Sequence, residues 1–312
     1  MRSTLMGRVD FALGLALALL LAPAVSDKAV ASDKVPASNY CKTKQLDILL
    51  TNDDGYDSIG IKAMRTALLA AGHKVLLVGP ATNMSGSSTS VTFATVPVTT
   101  VPGGYAVGGT PATTVLLGVT AIRGNVPPDL VVSGINNGAN LGPATPISGT
   151  VGATIAAITQ FTPGIPGVAI STDEMDAADP DANIKHFDVV AKFTARLIGQ
   201  LIDSSCKTKQ PLLPERTALN VNYPPLPPKK VKGLVVAEQG RTPYFSIGYS
   251  EVASSVYAPQ FASVDDADPN PDADTRLFEE GFVTVVPIDG DYTSPRPVQH
   301  QVRNALRGLS VK

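Results

Sequence analysis

Of the chain's 312 residues only two are cysteine and three are histidine, and charged side chains are sparse at 17%. Each shortage excludes something. Two cysteines, Cys41 and Cys206, cannot build a disulfide scaffold, although a single bridge is compatible with an oxidising compartment. Twenty-five Lys and Arg against 27 Asp and Glu leave a net charge of −2 and a pI near 5.9, so the basic footprint of a protein that binds nucleic-acid polymers or anionic membrane is missing. The first strand-to-helix turn lacks G-x-G-x-x-G, which argues against a dinucleotide-dependent dehydrogenase. There is no internal repeat, and beyond the first thirty residues no apolar run suits a bilayer.

What is present begins with a leader. Arg2 and Arg8 precede an apolar run over 11–24, and Ala29-Val30-Ala31 offers a small-x-small cleavage site. That layout predicts a signal peptide over 1–31, with a single membrane anchor as the alternative. The mature protein is then expected outside the cytoplasm, periplasmic or secreted, and off the membrane. A polar stretch over 32–45 follows.

From residue 46 the pattern becomes regular. LDILLT (46–51) and KVLLV (74–78) read as strands flanking a helix over 59–71, a βαβ unit expected to be right-handed. Residues 91–100 alternate like a strand, with 105–107 as a hairpin partner, and 111–122 reads as one helix. DLVVSGI (129–135) and GVAIS (167–171) are buried strands, and 149–159 and 184–201 are helices. Continuous apolar strands imply a parallel sheet covered on both faces. The expected fold is therefore an α/β, Rossmann-like, doubly wound and mostly parallel sheet over 46–230. A smaller C-terminal extension over 231–312 carries short β-like runs, irregular connections and a final helix over 298–309. Cys41 precedes the first strand and Cys206 ends a crossover helix, so both fall toward the amino edge of the sheet.

Ligands of such sheets bind beyond the carboxyl ends of the strands. Three loops place oxygen donors there: Asn52, Asp53 and Asp54 after the first strand; Asn83-Met84-Ser85-Gly86 after the second; Asn136, Asn137 and Asn140 after DLVVSGI, with Ser148-Gly149-Thr150 opening the next helix. None of His73, His186 or His300 joins them, so the set suits a hard cation, Mg²⁺, Mn²⁺ or Ca²⁺, rather than zinc. Backbone N–H groups in the Gly-rich loops and at the helix N-terminus offer an anion cradle. A cation, an anion cradle and no obvious nucleophile point to hydrolysis of a phosphate ester by an activated water. Asp53 or Asp54 would orient or deprotonate that water, while Asn52, Asn83, Gly86, Asn140, Ser148, Gly149 and Thr150 would bind the phosphate.

Seven segments, taken in order, resemble the SurE family of survival-protein nucleotidases: ILLTNDDGYDSIGIKAM (48–64), NMSG (83–86), GTP (109–111), DLVVSGINNGANLG (129–142), SGTVGA (148–153), LNVNYP (219–224) and EEGFVTVVP (279–287). The resemblance implies one divalent metal held by Asp53, Asp54, Ser85 and Asn136, and hydrolysis of nucleoside 5′- and 3′-monophosphates with wider phosphomonoester activity. It also implies a homodimer or homotetramer joined through an exchanged C-terminal segment. Departures are Met84 where the family usually has Arg, Thr113 and Thr114 where it commonly has Asp and Cys, and a His replaced near Asp289; Asp274 is kept.

Asp266, Asp268, Asn270, Asp272 and Asp274, with Glu279 twelfth from Asp268, partly match a calcium loop. Ala273 stands in place of the required Gly and Pro269 and Pro271 interrupt the run, so a solvated acidic loop is the expectation. The competing readings of the whole chain are an exported solute-binding protein without catalysis and a Mn²⁺-dependent glycosyltransferase.

Overall fold

A computed structural model describes residues 38–309. The leader over 1–31 and the first part of the polar stretch lie outside the described residues. The rest of that stretch is not a featureless leader: Ser38–Thr43 forms a short helix, α1, that carries Cys41.

The chain then runs β1 (Asp47–Thr51), α2 (Ile59–Ala70), β2 (Lys74–Pro80), β3 (Val98–Val101), β4 (Gly104–Val107), α3 (Pro111–Leu117), β5 (Leu130–Asn137), α4 (Gly149–Thr159), β6 (Gly167–Thr172), α5 (Pro180–Thr208) and β7 (Ala218–Tyr223). The C-terminal part adds β8 (Leu234–Val236), β9 (Phe245–Ala253), β10 (Val256–Ser263), α6 (Asp274–Glu279), β11 (Val283–Ile288) and α7 (Arg296–Ala305). Nine strands form one sheet in the order β3-β4-β2-β1-β5-β6-β7-β11-β8, parallel from β4 to β7. β3 is antiparallel at one edge, and at the other β11 runs antiparallel to β7 and parallel to β8. Strand order reverses at β1, whose two neighbours are β2 and β5.

Side chains that alternate along a strand serve two cores. Ile48, Leu50, Leu130 and Val132 pack with α2 and α5, whereas Leu49 and Val131 pack with α3 and α4. This double burial is why these strands read as unbroken apolar runs. Gly60 in α2 lies so close to the Ile135 carbonyl that no Cβ fits between helix and strand.

The helix positions also fix the hand of each connection. α2 and α5 share a face, yet β1 to β2 and β6 to β7 step across the sheet in opposite directions. The two crossovers therefore have opposite hands. Those through α3 and α4 agree with the one through α2, so α5 makes the left-handed exception to a strong right-handed rule. Its consequence is local: α5 lies on the same sheet face as α2 and packs against it, touching β5 and β6 as well. α5 then ends beside α1, where Cys41 and Cys206 are bridged with their Cα atoms 5.5 Å apart.

Several boundaries differ from the sequence reading. Within 91–100 only the last part is strand, because the rest spends its polar groups elsewhere: Thr92 N–H donates to Thr113 Oγ1 and the Pro97 carbonyl accepts from Gly108. The helix expected over 111–122 changes to a π turn at Gly118, where the chain presses against Leu49. α5 starts four residues before the expected 184, capped by the Asp179 carboxylate with Pro180 next, and continues to Thr208. The extension contains a long hairpin, β9–β10, where irregular connections were expected. The acidic loop is not wholly solvated. Asp268 and Asp274 are buried, the first accepting from the N–H groups of Arg241, Thr242 and Asn270, the second from those of Gly142, Gly240 and Thr275. Carboxylates of this kind replace absent ladder partners for a loop backbone.

Candidate active site

Three segments converge on the pair that follows β1: the start of α4, the loop after β2 and the end of β5. Asp53 is buried, and one of its carboxylate oxygens accepts from the Thr150 hydroxyl. Gly149 and Thr150, the first residues of α4, also turn their backbone N–H groups toward it. Burial nonetheless outweighs these donors and holds Asp53 above the usual carboxylate range. A Cβ on Gly149 would stand 2.8 Å from the Asp53 Cβ and 2.7 Å from Ser87 Oγ, so only glycine lets the helix start so near the carboxylate. The loop after β2 is tied on through Asp53's main chain, whose carbonyl accepts from Met84 N–H at 2.7 Å.

Asp54 is half-buried. Its Oδ2 accepts from Asn137 N–H at 3.1 Å, which brings in the end of β5. Burial and the adjacent Asp53 raise its pKa to about 6, with the Asn137 bond opposing. Between Ser133 and Asn136 the β5–β6 register shifts, a bulge that re-aims the end of β5. Asn136 donates Nδ2 to the Gly138 carbonyl at 2.7 Å, which leaves Oδ1 as its donor of lone pairs to a cation. Ser85 is exposed; its N–H donates to Asn83 Oδ1 at 2.8 Å, a side-chain turn that shapes the loop. Gly86 follows with φ +78°.

The other expected phosphate ligands have work of their own. Asn52 Nδ2 donates to the Gly55 carbonyl and Ser58 Oγ, which closes the turn behind the acidic pair. Ser148 Oγ caps α4 by accepting from Val151 N–H at 3.2 Å. Thr150 holds Asp53. Asn140 is knit into the sheet: Nδ2 donates to Ser171 Oγ, and its carbonyl accepts from Asn220 and Asn222. Sequence reasoning did not single out Asp173 and Glu174, which brace the 137–139 segment. They follow β6 at the same sheet edge, so the strand-end rule used for β1, β2 and β5 would have found them.

Among the described residues no Lys, Arg or His is paired with Asp53 or Asp54, and no three or more His, Cys, Asp or Glu are grouped so that they alone could hold a metal ion. Two adjacent sequestered carboxylates without a cationic partner are short of positive charge. The nearby donors are amide and hydroxyl oxygens, so the residues present fit a hard divalent cation.

Fold and site together define a doubly wound α/β protein with two sequestered carboxylates among further oxygen donors at its switch point. The family model described as "Survival protein SurE" matches residues 48–246. Similar proteins include the 5′-nucleotidase SurE of Desulfitobacterium hafniense, 34% identical over 255 residues (79% of this chain, 92% of that protein). That of Polaromonas naphthalenivorans is 35% identical over 269 residues, covering 83% and 97%. The crystal structure of the SurE protein from Aquifex aeolicus superposes with a TM-score of 0.67 at 31% identity, covering 83% of this chain and 98% of that one. The chain belongs to the SurE family.

Proposed function

We propose that this chain is an exported, divalent-cation-dependent phosphomonoesterase that hydrolyses nucleoside 5′- and 3′-monophosphates. The observation that carries the reading is the uncompensated carboxylate pair at the switch point, reached by the loop after β2, the end of β5 and the start of α4. The relatives named as 5′-nucleotidases supply the substrate class.

Asp53, Asp54, Ser85 and Asn136 would hold Mg²⁺, Mn²⁺ or Ca²⁺. Such a cation supplies charge for a phosphoryl oxygen and makes a water molecule more acidic. Asp53, fixed by Thr150, serves as the immobile anion. Asp54 has Oδ2 held by Asn137, so Oδ1 is the atom suited to orient the attacking water and take its proton. Because Ser148, Thr150 and Asn140 are engaged elsewhere, the exposed Asn83 to Gly86 loop is the better candidate for phosphate oxygens. With Met84 in that loop, no fixed cation adds to it there.

Export is supported by the signal-like start of the chain and by the Cys41–Cys206 bridge. Assembly into a homodimer or homotetramer is supported by apolar side chains left at the surface of the extension. Val298, Val302 and Leu306 recur every fourth residue on and just beyond α7, and Tyr249, Tyr257 and Phe261 project from the hairpin.

The decisive assay is release of phosphate from AMP and p-nitrophenyl phosphate with Mn²⁺ or Mg²⁺, with and without chelator. Wild type should be active only with metal, and Asp54→Asn should lose about 100- to 1,000-fold, the scale of removing a group that acts in the transition state. Metal-independent turnover, or an undiminished Asp54→Asn, would refute the reading. Nucleotide binding without turnover would favour the solute-binding alternative.

A further inference from the structure

At the end of β6 and just beyond it, three consecutive residues lie beside the end of β5 and the loop that follows, and each holds a different part of that segment. The Thr172 carbonyl accepts from Gly138 N–H at 2.7 Å, Asp173 Oδ1 from Ala139 N–H at 2.7 Å, and Glu174 Oε1 from Asn137 Nδ2 at 2.9 Å. Thr172 is itself anchored, its hydroxyl lying 2.7 Å from both His186 Nε2 and the Tyr223 carbonyl. The braced segment carries the Asn137 N–H that orients Asp54, and its Gly138 carbonyl sets the amide of Asn136.

Asp173 has a second partner. Its Oδ2 accepts from the Tyr244 hydroxyl at 3.0 Å, and Tyr244, next to β9, packs edge-on against Phe278 of α6 at 5.7 Å. Burial first, and the Asp173 charge second, hold the Tyr244 hydroxyl well above its ordinary value, so it stays a donor. One half-buried carboxylate thus links residues 136–139 to the root of the C-terminal arm, the part of the extension that carries the β9–β10 hairpin and α7.

We propose that Asp173 is a positioning residue for the cation site, preorganising residues 136–139, and that Tyr244 makes the C-terminal arm part of that brace. This rests on the metal-site reading above. A loop already ordered before the cation arrives need not be ordered by it, and partners outside the ligand set typically change metal affinity by about 10- to 100-fold.

Two measurements on the full chain test it: hydrogen exchange of the Ala139 amide in metal-free protein, and the Mn²⁺ dissociation constant by calorimetry. Asp173→Ala should speed Ala139 exchange and weaken Mn²⁺ binding by about 10-fold or more. Asp173→Asn, which keeps an acceptor for Ala139 N–H and an amide for the Tyr244 oxygen, should restore most of both. Tyr244→Phe should move both readouts the same way by less, with the melting temperature separating loop release from general destabilisation. Unchanged exchange and unchanged affinity in Asp173→Ala would overturn the proposal. Were that variant unable to fold, the same unchanged pair in Tyr244→Phe would overturn it. If wild type bound no Mn²⁺ and hydrolysed nothing, the metal-site reading would fall. The brace would then be judged on exchange alone, faster exchange supporting it and unchanged exchange refuting it.

Discussion

The edge of the sheet around Asp53 and the C-terminal arm reverse each other's chemistry. At the edge, polar residues are inside: Asn52, Asp53, Asn136, Asn140, Ser148 and Thr150 are all buried. In the arm, apolar residues are outside, with Tyr249 71%, Phe261 66% and Val302 52% exposed. Neither arrangement helps a lone chain fold, since buried polar groups must be paired and exposed apolar groups gain nothing. Each makes sense only with something added, a cation and phosphate at the edge and a second surface on the arm. Asp274 stands where the regions join, a fully buried carboxylate that binds Gly142 of the inner loop and Gly240 of the extension.

The comparison can be broken most severely at that junction. Asp274→Ala leaves the N–H groups of Gly142, Gly240 and Thr275 without their acceptor, and should cost about 3 kcal/mol in a denaturant titration, given 1–3 kcal/mol per orphaned buried group. Asp274→Asn, which retains an acceptor oxygen, should cost less than half of that.

A smaller effect sharpens the inner half. The folded pKa values of Asp53, Asp54 and Asp274 all lie above the ordinary 3.8, that of Asp54 at about 6. A carboxylate raised by folding binds its proton more tightly in the native state, so these three groups should add stability to the metal-free protein as pH falls from 7 through 6 toward 4, against the loss from the buried His186 ring, which burial holds down to about 4. For Asp54 alone the gain is on the order of 2 kcal/mol. Saturating Mn²⁺ should flatten or invert that slope, because the cation favours the ionised pair. Thermal melts at pH 7 and pH 5, with and without chelator, read the difference.

The smallest effect on stability belongs to the arm. Val302→Asp should lower the mass seen by light scattering while shifting the monomer's stability by no more than about 0.5 kcal/mol, as for other surface changes. An unchanged mass would remove α7 from the proposed interface.

Local sequence determined a good deal. Strand-length apolar runs closed by Asn-Asp-Asp-Gly or by turn-rich loops placed Asp53, Asp54 and Ser85 beyond the strand ends, because period and turn chemistry are properties of a few adjacent residues, whereas Asn136, expected in a loop, is still within β5, which runs on to Asn137. The parallel core and its two helical faces followed from the same runs. Tertiary structure decided what depends on partners distant in sequence. The hairpin β9–β10 carries no burial contrast between its faces, so its alternation was silent. The hydrogen bond from Thr150 to Asp53 required α4 to start against the end of β1 across 97 residues. Above all, the bonds from Asp173 to Ala139 and to Tyr244 join residues 34 and 71 apart in sequence, and like the hand of the α5 crossover they are written in no local pattern.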